Sequence, residues 1–280
     1  MVLHLDNERL RQLVPNVIHE VKGETPLIDK LCPFIETARA WLVKEILGPT
    51  LVVDSNPVYD FAEKIIVYRA FADAIPSLDV SLSPAGFSVI NTDGRAPASK
   101  ERIERLVASL RSFVDSNLPV LLTMLNQLEE WRGSDIGKWW RATFICNIED
   151  VLRFARQGDD LIAHYERCRD IALSFESEMA ERFLGRDFLG HLREAYPQAM
   201  TDAISDIRAM IRIAELKYIG MHINDRRFTC PDDHELWHIS RPIIARLKYW
   251  PELNEMWADE MKETLTVEPF VNKVRGGFFF

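Results

Sequence analysis

The sequence has little glycine or proline, 12 and 14 in 280 residues, below the roughly 12% that proteins carry on average. That argues against a turn-dense sandwich or barrel, and against disorder. It also lacks a basic surplus: 34 lysines and arginines face 43 aspartates and glutamates, for a net charge of −9. Phosphate contacts therefore have no excess cation to draw on, and a free-standing nucleic-acid binder is disfavoured. The four cysteines, Cys32, Cys146, Cys168 and Cys230, form no C-x-x-C. Neither a zinc knuckle nor a redox motif is written, and they read as buried thiols in a reducing compartment. Long apolar runs are missing too, since a stretch such as Leu118 to Leu125 is far too short to span a bilayer. Acids stand in the first nine residues, where a signal peptide needs a basic region. G-x-G-x-x-G, P-loop and G-x-S-x-G patterns are absent. The expectation is a cytoplasmic protein, or one in a particle assembled in the host cytoplasm, with no membrane contact and no cofactor.

What is present is helical punctuation, and the expected fold class is mainly α. After Thr25-Pro26, apolar residues from Leu27 to Leu47 recur at steps of three and four, with Pro33 expected to kink or split the helix. Gly48-Pro49 stops it. Asn56-Pro57 opens a second helix whose inner side runs from Phe61 to Ile75, ending at Pro76. Val80, Leu82, Phe87 and Val89 then alternate around Ser83-Pro84-Ala85-Gly86, predicting a small β-hairpin near 78–92. A long helix follows from about Ser99, with a kink expected at Pro119.

The second half reads as a worn copy of this layout. Leu47-Gly48 recurs as Leu184-Gly185, Phe61–Ile75 as Ala203–Lys217, and the alternating stretch as Ile219–Cys230, at spacings of 137 to about 142 residues. Two similar helical halves, each with a small β-hairpin insertion, are therefore expected. The boundaries are 1–132 for the first repeat, 133–138 for a Gly-rich linker, 139–268 for the second repeat and 269–280 for an extended tail.

One motif suggests an enzyme. His234-Glu235-Leu236-Trp237-His238 matches H-E-x-x-H, in which two imidazoles on one helix face hold Zn²⁺ and the glutamate acts as general base of a metallopeptidase. Glu252, Glu255 and Glu260 are the downstream acids available as a third ligand. The competing account is a helix start: Asp232 with Glu235 three residues on is an acidic capping box, and Pro242 interrupts the helix soon after His238. Capping likewise explains the acid pairs Asp159-Asp160 and Asp232-Asp233. The capping account is preferred, with no catalytic and no metal-binding residue assigned, and the zinc metallopeptidase is kept as the alternative.

Other features suggest assembly. Val274-Arg275-Gly276-Gly277-Phe278-Phe279-Phe280 puts three phenylalanines behind a Gly-Gly hinge, an apolar peptide suited to a pocket on its own domain or on a neighbouring subunit. Trp131, Trp139 and Trp140 surround the Gly133–Gly137 loop and are interface candidates, or else pack the two repeats together.

Ala38-Arg39-Ala40-Trp41-Leu42 to Ile46-Leu47-Gly48, then Tyr68-Arg69-Ala70-Phe71, Leu78-Asp79-Val80-Ser81-Leu82 and Gly86-Phe87-Ser88-Val89, carry a resemblance. The chain resembles an uncharacterised, internally duplicated helical family of phages and prophages of gut anaerobes. Its second copy departs most, with Asp225-Arg226-Arg227 in place of the Pro-Ala-Gly turn. The helical layout of that family is similar to head-to-tail adaptor (connector) proteins. The resemblance implies a virion structural protein that forms a homo-oligomeric ring, meets portal or tail proteins of the same particle, and reads no nucleic-acid sequence.

Overall fold

The structure is a computed structural model and describes residues 5–14, 25–49, 51, 57–78, 80–83, 86–89, 99–224 and 233–265. Its described residues are mainly helical, and they cluster into two compact units. One comprises the residues up to Arg141 together with Asn147–Leu152, the other Ala142–Cys146 together with those from Arg153 onward.

The first unit contains α1 (Asn7–Leu13), α2 (Leu27–Leu42), α3 (Pro57–Leu78), strands β1 (Val80–Ser83) and β2 (Gly86–Val89), α4 (Lys100–Leu125), α5 (Glu129–Gly133), α6 (Asp135–Trp140) and α7 (Ile148–Val151). Helix α3 is buried on nearly every side through Ala62, Ile65, Ile66, Val67, Ala70, Ala72 and Ala74. Such a helix must be covered all round, and α2 and α4 pack against it. Its small alanines admit close approach. Glu63 is buried in the same helix because Arg9 of α1 donates to it through Nε at 2.8 Å. The strands pair antiparallel, Val80 opposite Val89 and Ser83 opposite Gly86; the turn residues Pro84 and Ala85 lie outside the described residues.

The prolines do not divide the helices as the sequence suggests. Helix α2 runs through Pro33, which lies on its exposed side, α3 continues past Pro76 to Leu78, and α4 is one element across Pro119. At the exposed Pro33 and Pro76 the missing N–H is a small loss, because water serves the orphaned carbonyl; Pro119 is buried, and this account does not extend to it.

The proposed linker 133–138 is not a linker. It forms the turn from α5 into α6 inside the first unit, and Ser134 caps α6 by accepting from Gly137 N at 3.1 Å while donating to Trp131 O at 2.7 Å. A Cβ on Gly137 would lie 1.9 Å from the Trp131 carbonyl oxygen, so this glycine serves close packing rather than flexibility. The division between units falls at 141–153 instead, where Ala142–Cys146 joins the second unit and Asn147–Leu152 returns to the first.

The second unit holds α8 (Leu161–Met179), α9 (Arg186–Glu194), α10 (Asp202–His222), α11 (Asp233–Leu247) and α12 (Pro251–Leu265). Its core gathers Phe144, Phe175, Phe188, Ile207, Ile211, Tyr218, Leu236 and Ile243. Asp160 caps α8, its Oδ1 accepting from Ile162 N at 3.0 Å and Ala163 N at 3.1 Å, as the acid pair there implies. The strand-like alternation read at Ile219–Cys230 is overturned in its first part: Ile219–His222 belongs to the last turn of α10, while 225–230 lies outside the described residues. Ile219 and Tyr218 are both buried, so that stretch meets its surroundings with helical rather than two-residue periodicity.

Each unit contains the same local device. Helix α2 widens into a π-turn at Val43–Leu47 that closes on Gly48, whose N–H donates to Val43 O at 2.8 Å. Helix α8 widens into a π-turn at Ala180–Leu184 that closes on Gly185, whose N–H donates to Ala180 O at 3.0 Å. Both glycines have positive φ, 80° and 87°, with ψ near 150°, a combination open essentially only to glycine.

Candidate functional site

The central tryptophans were candidates for a contact surface, and two of the three are core. Trp131 and Trp140 are each 0% exposed. Their indole N–H groups donate to the π-turn carbonyls of Ile46 at 2.8 Å and Glu45 at 2.9 Å. A residue sealed inside its own unit cannot be an interface anchor. Burial in a pocket that also satisfies the indole N–H is the reason they are here. Trp139 is half-buried and meets the Trp140 ring edge-on at 5.1 Å. Phe278, Phe279 and Phe280, with the rest of 269–280, lie outside the described residues.

The H-E-x-x-H segment forms the first turns of α11. The side chain of His234 is outside the described residues. Glu235 faces His222 at the end of α10, with carboxylate oxygens 3.3 and 3.4 Å from Nε2. Among the described residues, no group of three or more His, Cys, Asp or Glu is placed to hold a metal ion.

His238 and Glu235 instead line a groove between α10 and α11, together with Lys217, Met221 and Ile239, around a cavity of 490 Å³. Met221 and Ile239 are its apolar lining; Ile213 and Trp237 are exposed outside it. Ile213 and Met221 are 52% and 53% exposed, and Trp237, the next residue to His238, is 45% exposed with its ring 5.8 Å from Phe183. Ile213, Lys217 and Met221 stand four residues apart and so share one face of α10. The aliphatic stem of a lysine between two apolar side chains extends such a stripe, its ammonium staying in water. Trp237 is exposed because Leu236, its neighbour, takes the inward position.

Two features escaped the sequence reading. Glu176 of α8 and Glu215 of α10 are 4% and 0% exposed and share a hydrogen bond. Glu176 Oε1 accepts from Phe144 N at 3.0 Å and Glu215 Oε2 from Ile145 N at 3.1 Å. Burial pushes both carboxyls up, and for Glu215 the Glu176 charge adds to it; Arg193, 3.5 Å from Glu176, opposes the shift there. Two carboxyls in contact and away from water hold a proton between them, and here they grip the backbone of Ala142–Cys146. In the sequence they are two glutamates 39 apart, with nothing to mark them.

The second feature is a chain of groups at the start of α8. His164, itself buried, has Nδ1 3.8 Å from Asp159 Oδ2 and Nε2 3.7 Å from Cys168 Sγ. The order acid, imidazole, thiol is that of an activated nucleophile. Its electrostatics are the reverse, since burial pushes the Cys168 thiol up to about 12 and Sγ is sealed from solvent. A nucleophilic thiol needs the opposite shift and an open face.

The comparisons with known proteins assign no activity. The model of a family described as a family of unknown function, DUF6712, matches residues 18–139. No curated protein and no solved structure matches the chain.

Proposed function

We propose that this chain is a non-enzymatic structural protein of a phage or prophage particle, a head-to-tail adaptor whose copies assemble into a ring and meet the portal or tail proteins of that particle. One observation carries the reading: the large apolar side chains left half in water include Ile213, Met221 and Trp237, which belong to the neighbouring helices α10 and α11. The groove in which Met221 and Ile239 stand among Lys217, Glu235 and His238 has the mixed apolar and polar character of a protein contact surface. The groups with catalytic potential, meanwhile, are engaged within the fold, Glu176 and Glu215 on backbone N–H groups and Cys168 behind its neighbours. In this reading Glu235 and His238 are walls of a contact groove, and the Phe278–Phe280 segment adds a second apolar contact between copies.

The same proposal takes the chain as an internal duplication of one helical unit. Support comes from the two π-turns, each closed by a positive-φ glycine and each with an indole donating to the carbonyl two residues before that glycine: Trp131 to Ile46 and Trp257 to Phe183, both at 2.8 Å. A ring of such chains carries twice as many modules as subunits.

Mass photometry of the full chain tests the assembly. A large closed oligomer is expected, reduced toward monomer by Met221→Ala with Trp237→Ala and by deletion of 276–280, with helical circular dichroism unchanged. A monomer that carries stoichiometric zinc, lost in His234→Ala, overturns the reading in favour of the metallopeptidase.

A further inference from the structure

We infer that the second unit carries a binding site for a small organic phosphate in the cavity at the amino end of α8, lined by Arg156, Arg167, His164, Asn224 and Phe154. The cavity measures 450 Å³, with Asp159 and Ile223 completing its wall. That volume is within the few hundred to a thousand Å³ typical of small-molecule sites.

The charge on the wall selects an anion. In a chain of net charge −9, this cavity is lined by two guanidinium groups against one carboxylate. The carboxylate does not close the site. Asp159 Oδ2 accepts from the backbone N–H of Arg156 at 2.9 Å, but Arg167 Nη2 stands 3.7 Å away and His164 Nδ1 3.8 Å away. These separations exceed hydrogen-bond length, so an incoming oxygen can bond Arg167 without first breaking a good bond. Arg156 is steered by its donation to Asn224 Oδ1, which turns a second donor-bearing side chain to the same wall. Guanidinium groups suit phosphate oxygens because their N–H groups are fixed in a planar fork. The helix terminus itself is not the binding element, since Asp160 already takes the Ile162 and Ala163 N–H groups.

Part of the cavity lining is apolar and calls for an organic body on the ligand. Phe154 and Ile223 form it, and the Phe154 ring is seated closely on α10, 3.1 Å from where a Cβ on Gly220 would be. A bare inorganic anion would leave that apolar lining and most of the volume unfilled.

Calorimetric titration of the full chain with a nucleoside monophosphate, a sugar phosphate, inorganic phosphate, succinate and a short DNA duplex tests the inference. Saturable binding of one organic phosphate per chain is expected, tighter than for inorganic phosphate or succinate. Arg167→Ala and Arg156→Ala should each weaken it about tenfold, one charge-assisted contact being worth that much, and Asn224→Ala by less. Arg111→Ala, which removes an exposed ion pair with Asp73 in the other unit, should leave it unchanged, and far-UV circular dichroism confirms that each variant is folded. No saturation by about ten millimolar, unchanged affinity in folded Arg167→Ala and Arg156→Ala, or binding of the duplex alone would overturn it.

Discussion

Trp131 donates its indole N–H to the main-chain carbonyl of Ile46 across 85 residues of sequence, at 2.8 Å and with no solvent exposure of the ring. A π-turn shifts the hydrogen-bond ladder from four to five residues and strands carbonyls at its end. The indole takes one of them, Trp140 takes that of Glu45, and Trp257 takes that of Phe183 in the second unit.

Trp131→Phe keeps most of the ring and removes the donor, leaving the Ile46 carbonyl buried and unpaired. A loss of about 1–3 kcal/mol is expected, measured by chemical denaturation. Trp257→Phe should cost less because Trp257 is half-buried and water can replace the donor. Equal losses in the two variants would show that ring volume, not the hydrogen bond, sets the cost.

Gly48→Ala and Gly185→Ala should both destabilise by about 1–3 kcal/mol from backbone strain alone, with a steric cost added. A Cβ would meet Ile136 Cγ2 at 2.7 Å in the first case and the Glu260 carboxylate at 2.3 Å in the second. Glu260 cannot simply turn aside, because it accepts from Asp187 N at 2.8 Å and Phe188 N at 2.7 Å at the start of α9. Melting temperatures of the two variants, against Gly133→Ala in which a Cβ meets nothing, separate strain from loss of glycine as such.

The carboxyl pair makes stability depend on pH in the less common direction. Both Glu176 and Glu215 are raised above the ordinary 4.5, by burial first. The folded protein therefore holds a proton that the unfolded chain releases, and the pair's contribution is complete below the unfolded value. It declines as pH rises through the raised values. Arg193 and Arg208 face the pair and moderate the effect without reversing it. In urea titrations from about pH 4 to pH 9, the wild type should lose stability relative to Glu215→Gln, in which Glu176 has no second carboxyl to share a proton with. Parallel curves for the two proteins would contradict the shared proton.

Thiol reactivity should divide by burial. At about pH 8 a maleimide should modify Cys32, which is exposed, and leave Cys146 and Cys168 unmodified until denaturant is added. Cys168, with its thiol pushed up to about 12, should show no esterase or peptidase chemistry despite His164 and Asp159 beside it. Peptide mapping after labelling reads this directly, and rapid labelling of Cys168 in the folded protein would reopen the question of a nucleophile.

Much of the local structure was legible in the residues. Leu27–Leu47 shows its stripe through three- and four-residue spacing, Leu-Gly marks both helix ends, and the acids at 159–160 announce a cap. Pro33 does not split its helix and Pro76 does not end its own because both face outward, and which side of a helix a proline faces is a property of packing. Gly133 and Gly137 misled for a related reason: one glycine meets open space and the other a carbonyl at 1.9 Å, and identical letters cannot tell them apart.

By itself, then, the sequence determined the mainly helical class, helix ends such as those at Gly48, Asp160 and Gly185, and the periodic faces that must be buried, because these depend on contacts within a few residues. Only the tertiary structure decided that Trp131 and Trp140 close π-turns, that Glu176 and Glu215 meet, that Trp237 stays at the surface and that Arg156, Arg167 and Asn224 share a cavity. Each of these joins groups far apart in the chain. The energy of such a pairing depends on burial and distance, which exist only once the helices have packed.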